Sequence, residues 1–106
     1  MQNKKKQGVS LCMMVKDEAL HLKRCLKSAV SFVDEIIIID TGSTDKTVEI
    51  AQEFGAKLFY QTWNDDFSAV RNTALAQARY EWILSLDADE EFLADRKSFQ
   101  ELLRDN

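Results

Sequence analysis

Ile36-Ile37-Ile38-Ile39-Asp40-Thr41-Gly42-Ser43-Thr44-Asp45 is the stretch whose reading decides the fold. Four successive β-branched side chains are stiff at χ1 and favour an extended backbone, so the isoleucine block is the clearest strand in the chain. Asp40 ends it on a charge, and Thr41 to Asp45 is turn and helix-capping chemistry. Val48, Ile50, Ala51 and Phe54 follow as a helix, which Gly55 stops at the expected C′ position.

The same alternation extends in both directions. Upstream, Val9 to Val15 is a nearly continuous apolar run, too short for a typical helix and suited to a strand buried on both faces. Leu22, Leu26, Ala29 and Val30 then recur at helical spacing from Glu18 onward, with Asp17 placed as the expected N-cap. Downstream, Lys57 to Gln61 reads as a third strand. Phe67, Val70, Ala74, Leu75 and Ala78 give a third helix with a small-residue face, and Glu81 to Leu86 is a fourth strand. Phe99, Leu102 and Leu103 mark a terminal amphipathic helix. The order βαβαβαβα predicts an α/β, Rossmann-like domain with a mainly parallel sheet flanked by helices, because strand-helix-strand crossovers are overwhelmingly right-handed.

The 106 residues suffice for one domain with one core. Residues 1–7, with the run Lys4-Lys5-Lys6, are expected to be a solvated basic tail, and residues 8–106 the domain. A formal net charge of −4 argues against broad attraction to nucleic acid or to anionic membrane. Val9 to Val15 imitates the start of a secretory signal, but Lys16-Asp17-Glu18 ends it without a cleavage site. No stretch approaches the roughly 20 apolar residues of a membrane span, so a cytoplasmic location is expected. Cys12 and Cys25 form no CxxC pair and are expected to be reduced, near-core thiols. His21, the lone histidine, reads as a surface or capping residue.

In parallel sheets, ligands bind outside the carboxyl ends of the strands, near the point where strand order reverses. Lys16-Asp17-Glu18, Asp40 and Asp87 to Glu91 fall where the first, second and fourth strands end. Acids after strands commonly start helices, which accounts for some of them. Asp87 and Asp89 are different: they follow an apolar strand and flank a single alanine, and like charges that close repel unless a cation sits among them. Carboxylates with water and phosphate oxygens suit Mg²⁺ or Mn²⁺, whereas zinc calls for His or Cys that this region lacks. Neither GxGxxG nor GxxxxGK[ST] occurs, so phosphate binding on a glycine-rich loop is disfavoured.

Four ordered blocks resemble the family 2 glycosyltransferases, which have a GT-A fold and transfer sugars from nucleotide diphosphates. These blocks are Val15 to Glu18, Asp34 to Thr47, Phe67 to Asn72, and Glu81 to Glu90. The resemblance implies that the chain is the N-terminal, nucleotide-sugar-binding half of such an enzyme. Val15, Lys16 and Glu18 would border the nucleoside pocket, Asp40 would hydrogen-bond the base, most often uracil, and Arg71 would reach toward it. Asp87 would contact the ribose or a metal-bound water, and Asp89 would be the direct ligand of Mn²⁺ or Mg²⁺ beside the diphosphate. The acceptor, a glycan, lipid or protein, and the general base of an inverting transfer belong by resemblance to a later half. This portion is thus expected to bind donor but transfer little, with no catalytic base of its own. A sheet cut after its fourth strand would also expose an edge through which the chain self-associates.

Two other readings of the acidic triplet stand beside this one. In a DxD phosphotransferase or phosphatase the motif follows the first strand of the domain, whereas here it follows the fourth. A module that binds a nucleotide or a protein partner without catalysis is the non-enzymatic alternative. Trp63 and Trp82 read as packing anchors, and Ser43, Thr44 and Asp45 as turn and cap residues.

Overall fold

The computed structural model describes residues 5–104. Four strands, β1 (Lys6–Val15), β2 (Glu35–Asp40), β3 (Lys57–Tyr60) and β4 (Tyr80–Ser85), alternate with α1 (Ala19–Ala29), α2 (Thr47–Glu53), α3 (Phe67–Gln77) and α4 (Arg96–Arg104). A 3-10 turn, Val30–Phe32, extends α1. Every strand pair is parallel, in the order β3-β2-β1-β4. The chain moves outward from β1 to β3, then returns across the sheet to place β4 on the other side of β1. Strand order therefore reverses between β1 and β4, and a ligand crevice belongs at their carboxyl ends.

Ile36 to Ile39 form the interior of β2, and each is buried, as the isoleucine block predicts. Their burial contributes roughly 1.5–3 kcal/mol apiece before entropy is counted. Alternate residues serve opposite faces. Leu11, Met13, Ile36 and Ile38 pack with Leu22, Cys25, Leu26 and Ala29 of α1 and with Ala51 of α2. Cys12, Ile37 and Ile39 pack against Val70, Ala74 and Ala78 on the α3 side. The small-residue stripe lets α3 lie close to the sheet.

Gly55 ends α2 as expected, at φ 72°, with the Gly55 amide donating to the Gln52 carbonyl and the Ala56 amide to the Ala51 carbonyl. Three expectations are corrected. β1 begins at Lys6, not Val9, so Lys6 and Gln7 of the expected tail are strand residues and the Lys5 ammonium donates to the Ala78 carbonyl; residues 1–4 of that tail lie outside the described residues. Asp17 is not the N-cap of α1. Glu18 holds that position without a side-chain cap, and Asp17 has φ 53° with its carboxylate bonded elsewhere. The third and fourth strands each end one residue before the expected boundary, at Tyr60 and Ser85.

Beneath the sheet, at its amino end, Glu35 is buried and accepts from the Ser10 hydroxyl (2.5 Å), the Arg79 amide (2.6 Å) and the Lys57 ammonium (3.1 Å). Burial pushes this carboxyl up, but those hydrogen bonds outweigh it and hold it below its ordinary value. β4 has no outer neighbour among the described residues, and Ile83 stands partly exposed on its α3-side face. Among the described residues no helix is long and apolar enough to cross a membrane. Cys12 and Cys25 are buried free thiols.

Candidate functional site: a cleft at the carboxyl ends of β1 and β4

The crevice predicted by strand order is present. A cleft of about 440 Å³ is lined by Val15, Lys16, Glu18, Thr41, Asp87 and Asp89, with Trp63 and Phe67 on its α3 side. A second cleft of about 370 Å³ runs between α3 and β4, lined by Arg71, Val70, Ala74, Ser85 and Asp87 among others. Met14, Phe67 and Asp87 line both, so the two clefts adjoin.

The turn after β4 is built by Glu90. The Asp87 amide donates to its carboxylate (2.7 Å), and the Glu90 amide returns a bond to the Asp87 carbonyl (2.9 Å). Ala88 points into the core beneath, which turns the flanking Asp87 and Asp89 to solvent at the cleft. Helix α1 supports the turn from below, where the Cys25 thiol lies 3.6 Å from the Asp87 carbonyl. Burial, then the nearby charges of Glu90 and Asp89, push that thiol up to about 11.

Among the described residues, hydrogen bonds sort the rim acids into two groups. Asp40, only 3% exposed, accepts from the Gly42 amide (3.2 Å), the Ser43 amide (3.1 Å) and the Ser43 hydroxyl (2.5 Å). Its carboxylate therefore holds its own loop, and the residue at the end of β2 that lines the cleft is the next one, Thr41. Asp17 and Asp45 are likewise engaged, joining the β1–α1 loop to the β2–α2 loop. The Thr47 hydroxyl's hydrogen bond holds the Asp45 carboxyl below its ordinary value. The Glu18, Asp87 and Asp89 carboxylates accept no hydrogen bond from other described residues.

The structure thus brings Val15, Lys16, Glu18, Asp87 and Asp89 to one cleft and Arg71 to the adjoining one. Thr41, Trp63, Phe67 and Glu90 are the lining or supporting residues that sequence reasoning passed over. Thr41 was findable as the first residue past the carboxyl end of the isoleucine strand and its Asp40. Trp63 and Phe67 meet the cleft only through folding, as an edge-on aromatic pair with ring centroids 4.8 Å apart.

A doubly covered parallel sheet in the order β3-β2-β1-β4, with a carboxylate-lined cleft at the reversal point, defines a Rossmann-like α/β domain of the kind that opens the GT-A fold. Residues 10–104 match the glycosyl transferase family 2 profile, and the chain belongs to that family. It is similar to a TPR repeat-containing protein of Synechococcus elongatus, 59% identical over 87 residues that cover 82% of this chain and 22% of that protein. It is also similar to the SPbeta prophage-derived glycosyltransferase SunS of Bacillus subtilis, 37% identical over 87 residues covering 80% of this chain and 21% of SunS. Glucosyl-3-phosphoglycerate synthase of Mycobacterium tuberculosis, solved with Mn²⁺, UDP and glucosyl-3-phosphoglycerate, shares the fold with a TM-score of 0.66 at 20% identity. That match covers 77% of this chain and 33% of the synthase. The chain spans a third or less of the length of these relatives.

Proposed function

We propose that the chain is the donor half of an inverting glycosyltransferase, and that its cleft binds a nucleoside diphosphate sugar, UDP being the nucleotide, together with Mn²⁺ or Mg²⁺. The observation that carries this reading is the pair of uncommitted carboxylates, Asp87 and Asp89, at the strand-order reversal of a family 2 domain. In this reading Val15, Lys16, Glu18 and Thr41 border the nucleoside, and Arg71 reaches it from the adjoining cleft. Asp40 contributes by holding the loop that carries Thr41. Asp89, with Asp87, would hold the cation.

The donor set fits a hard divalent ion. Among the described residues no group of three or more His, Cys, Asp or Glu side chains is placed to hold a metal ion, so the proposed site rests on the two carboxylates. Two carboxylates leave coordination positions for water and phosphate oxygens, the arrangement Mg²⁺ prefers. When bound, the cation supplies positive charge where the nucleoside diphosphate departs. Lys16 and Arg71 are the cationic side chains lining the two clefts, against Glu18, Asp87, Asp89 and Glu90. In the complete enzyme a base deprotonates the acceptor hydroxyl, whose oxygen attacks the anomeric carbon as the bond to the diphosphate oxygen breaks.

Calorimetric titration with UDP, with and without Mn²⁺, on wild type and Asp89→Ala tests this. Wild type is expected to bind UDP only weakly without metal, and Asp89→Ala to lose most of the Mn²⁺-dependent gain. A folded wild type with no metal-dependent UDP binding would sink the proposal.

A further inference from the structure

We propose that Asp17 is a positioning residue of the nucleotide cleft: its carboxylate and the amides around it lock the β1–α1 and β2–α2 loops into one body. The claim rests on the nucleotide reading above. Lys16 and Glu18 line the cleft from one loop and Thr41 from the other, and Asp17 lies between the first two.

The lock is reciprocal. One Asp17 carboxylate oxygen accepts from the Thr44 amide (2.6 Å), the Asp45 amide (3.3 Å) and the Thr44 hydroxyl (3.3 Å). In return the Asp17 amide donates to the Ser43 hydroxyl (2.9 Å), the Glu18 amide to the Thr47 hydroxyl (2.8 Å) and the Ala19 amide to Asp45 (3.2 Å). Ser43 passes the connection inward by donating to buried Asp40. Every one of these bonds between the loops joins residues 26 to 29 positions apart in the chain.

Two features set this apart from ordinary capping. A helix start is normally capped by the side chain of its own Ncap residue, yet Glu18 makes no such bond and α1 is capped from the other loop. Asp17 also sits at φ 53°, a conformation that costs a non-glycine residue energy and persists where surrounding contacts over-determine it. The consequence is geometric. Lys16 and Glu18 leave the backbone on either side of a fixed residue, so their spacing to Thr41 is set before any ligand arrives. Preorganisation of this kind raises affinity by removing the ordering cost of binding.

The test uses Asp17→Gly, which tolerates φ 53° while deleting the carboxylate, and Asp17→Asn, which keeps an acceptor oxygen and also tolerates that conformation. UDP affinity in Mn²⁺ and amide hydrogen exchange without nucleotide are measured for each. Asp17→Gly is expected to bind UDP about tenfold more weakly, a difference of about 1.4 kcal/mol. Its exchange should rise at Glu18, Ala19, Thr44 and Asp45 while β1 and β2 stay protected. Asp17→Asn should recover most of the affinity. Wild-type affinity in Asp17→Gly overturns the positioning role alone, as does exchange that rises equally through β1 and β2, which would mark a loss of global stability. A wild type that binds no UDP overturns the nucleotide reading and this claim with it.

Discussion

Glu35 offers the sharpest test of how the amino end of the sheet is held. Its side chain is 4% exposed, while its partners Lys57 and Arg79 are 41% and 55% exposed. Removing the carboxylate as Glu35→Ala leaves the Ser10 hydroxyl and the Arg79 amide without that acceptor. Breaking a buried pair costs about 3–5 kcal/mol, and solvent access to both cations places the expected loss near the lower figure, about 3 kcal/mol. Glu35→Gln keeps the shape and one acceptor oxygen but loses the charge, and should cost about 1–2 kcal/mol. The sign of the pH dependence follows from the lowered carboxyl: the unfolded chain, with an ordinary value near 4.5, takes up the proton first. The stabilisation is therefore complete above that value and is lost as pH falls below it through the folded one. Urea unfolding from pH 7 down to pH 3 measures both effects. A wild-type advantage over Glu35→Gln that stays constant across that range would refute the electrostatic account, and a loss under about 0.5 kcal/mol in Glu35→Ala would refute the claim that the buried acceptor holds this end of the sheet.

Two further outcomes are expected. Gly8 has φ 141°, and a Cβ there would overlap the Asp34 carboxylate and the Tyr80 ring, whereas Gly55, at φ 72°, has open space around it. Gly55→Ala should thus cost about 1–2 kcal/mol from backbone strain alone, and Gly8→Ala clearly more, because crowding is added to strain; equal urea midpoints for the two variants would contradict this. Burial pushes the Cys12 and Cys25 thiols up to about 11 from 9.0, which lowers the thiolate fraction at pH 8 about a hundredfold. Alkylation by iodoacetamide at pH 8 should accordingly be slow in the native protein and fast in urea, and rapid native labelling of either cysteine would count against the buried placement.

The elements that the sequence announced are those whose cause is local. Four isoleucines in a row favour a strand through their own side-chain stiffness, Gly55 stops α2 through its own backbone freedom, and the spacing of Val70, Ala74 and Ala78 is a property of α3 itself. What escaped reading depends on partners far along the chain. Lys6 and Gln7 carry no strand signal, yet Lys6 pairs with Tyr80. Asp17 has the residue type and position of an N-cap, and the competing Thr44 and Asp45 amides that claim it lie 27 and 28 residues away. Asp40 is the opposite case: the Asp-Thr-Gly-Ser order is a local turn signal that places its carboxylate on the amides two and three residues ahead. The rim was legible because charged residues stand at or within two residues of the carboxyl ends of three strands. Which of its acids face the cleft was not, since that depends on how each carboxylate is used after folding.

The backbone donors of the rim are committed in the same way as some of its carboxylates, which in the proposed function leaves a diphosphate to be held through a cation. Rossmann-like sites often seat phosphate on the free amides of a glycine-rich turn and the helix it opens. In this chain eight amides of the two loops and of the start of α1 are engaged. The amides of Asp17, Glu18 and Ala19 donate to side chains of the β2–α2 loop and of Thr47 at the start of α2, and those of Gly42, Ser43, Thr44 and Asp45 donate to Asp40 and Asp17. The Thr41 amide donates to the Val15 carbonyl. The rigidity of these loops thus comes at the expense of the anion-binding groups they would otherwise present, and the carboxylates left over are the acidic ones at Glu18, Asp87 and Asp89. In the proposed function the two facts combine: a rim stiffened by its own amides would receive a diphosphate through a divalent ion, with Lys16 and Arg71 lining the clefts beside it, and the carboxylates not consumed by that stiffening are the groups that would hold the ion.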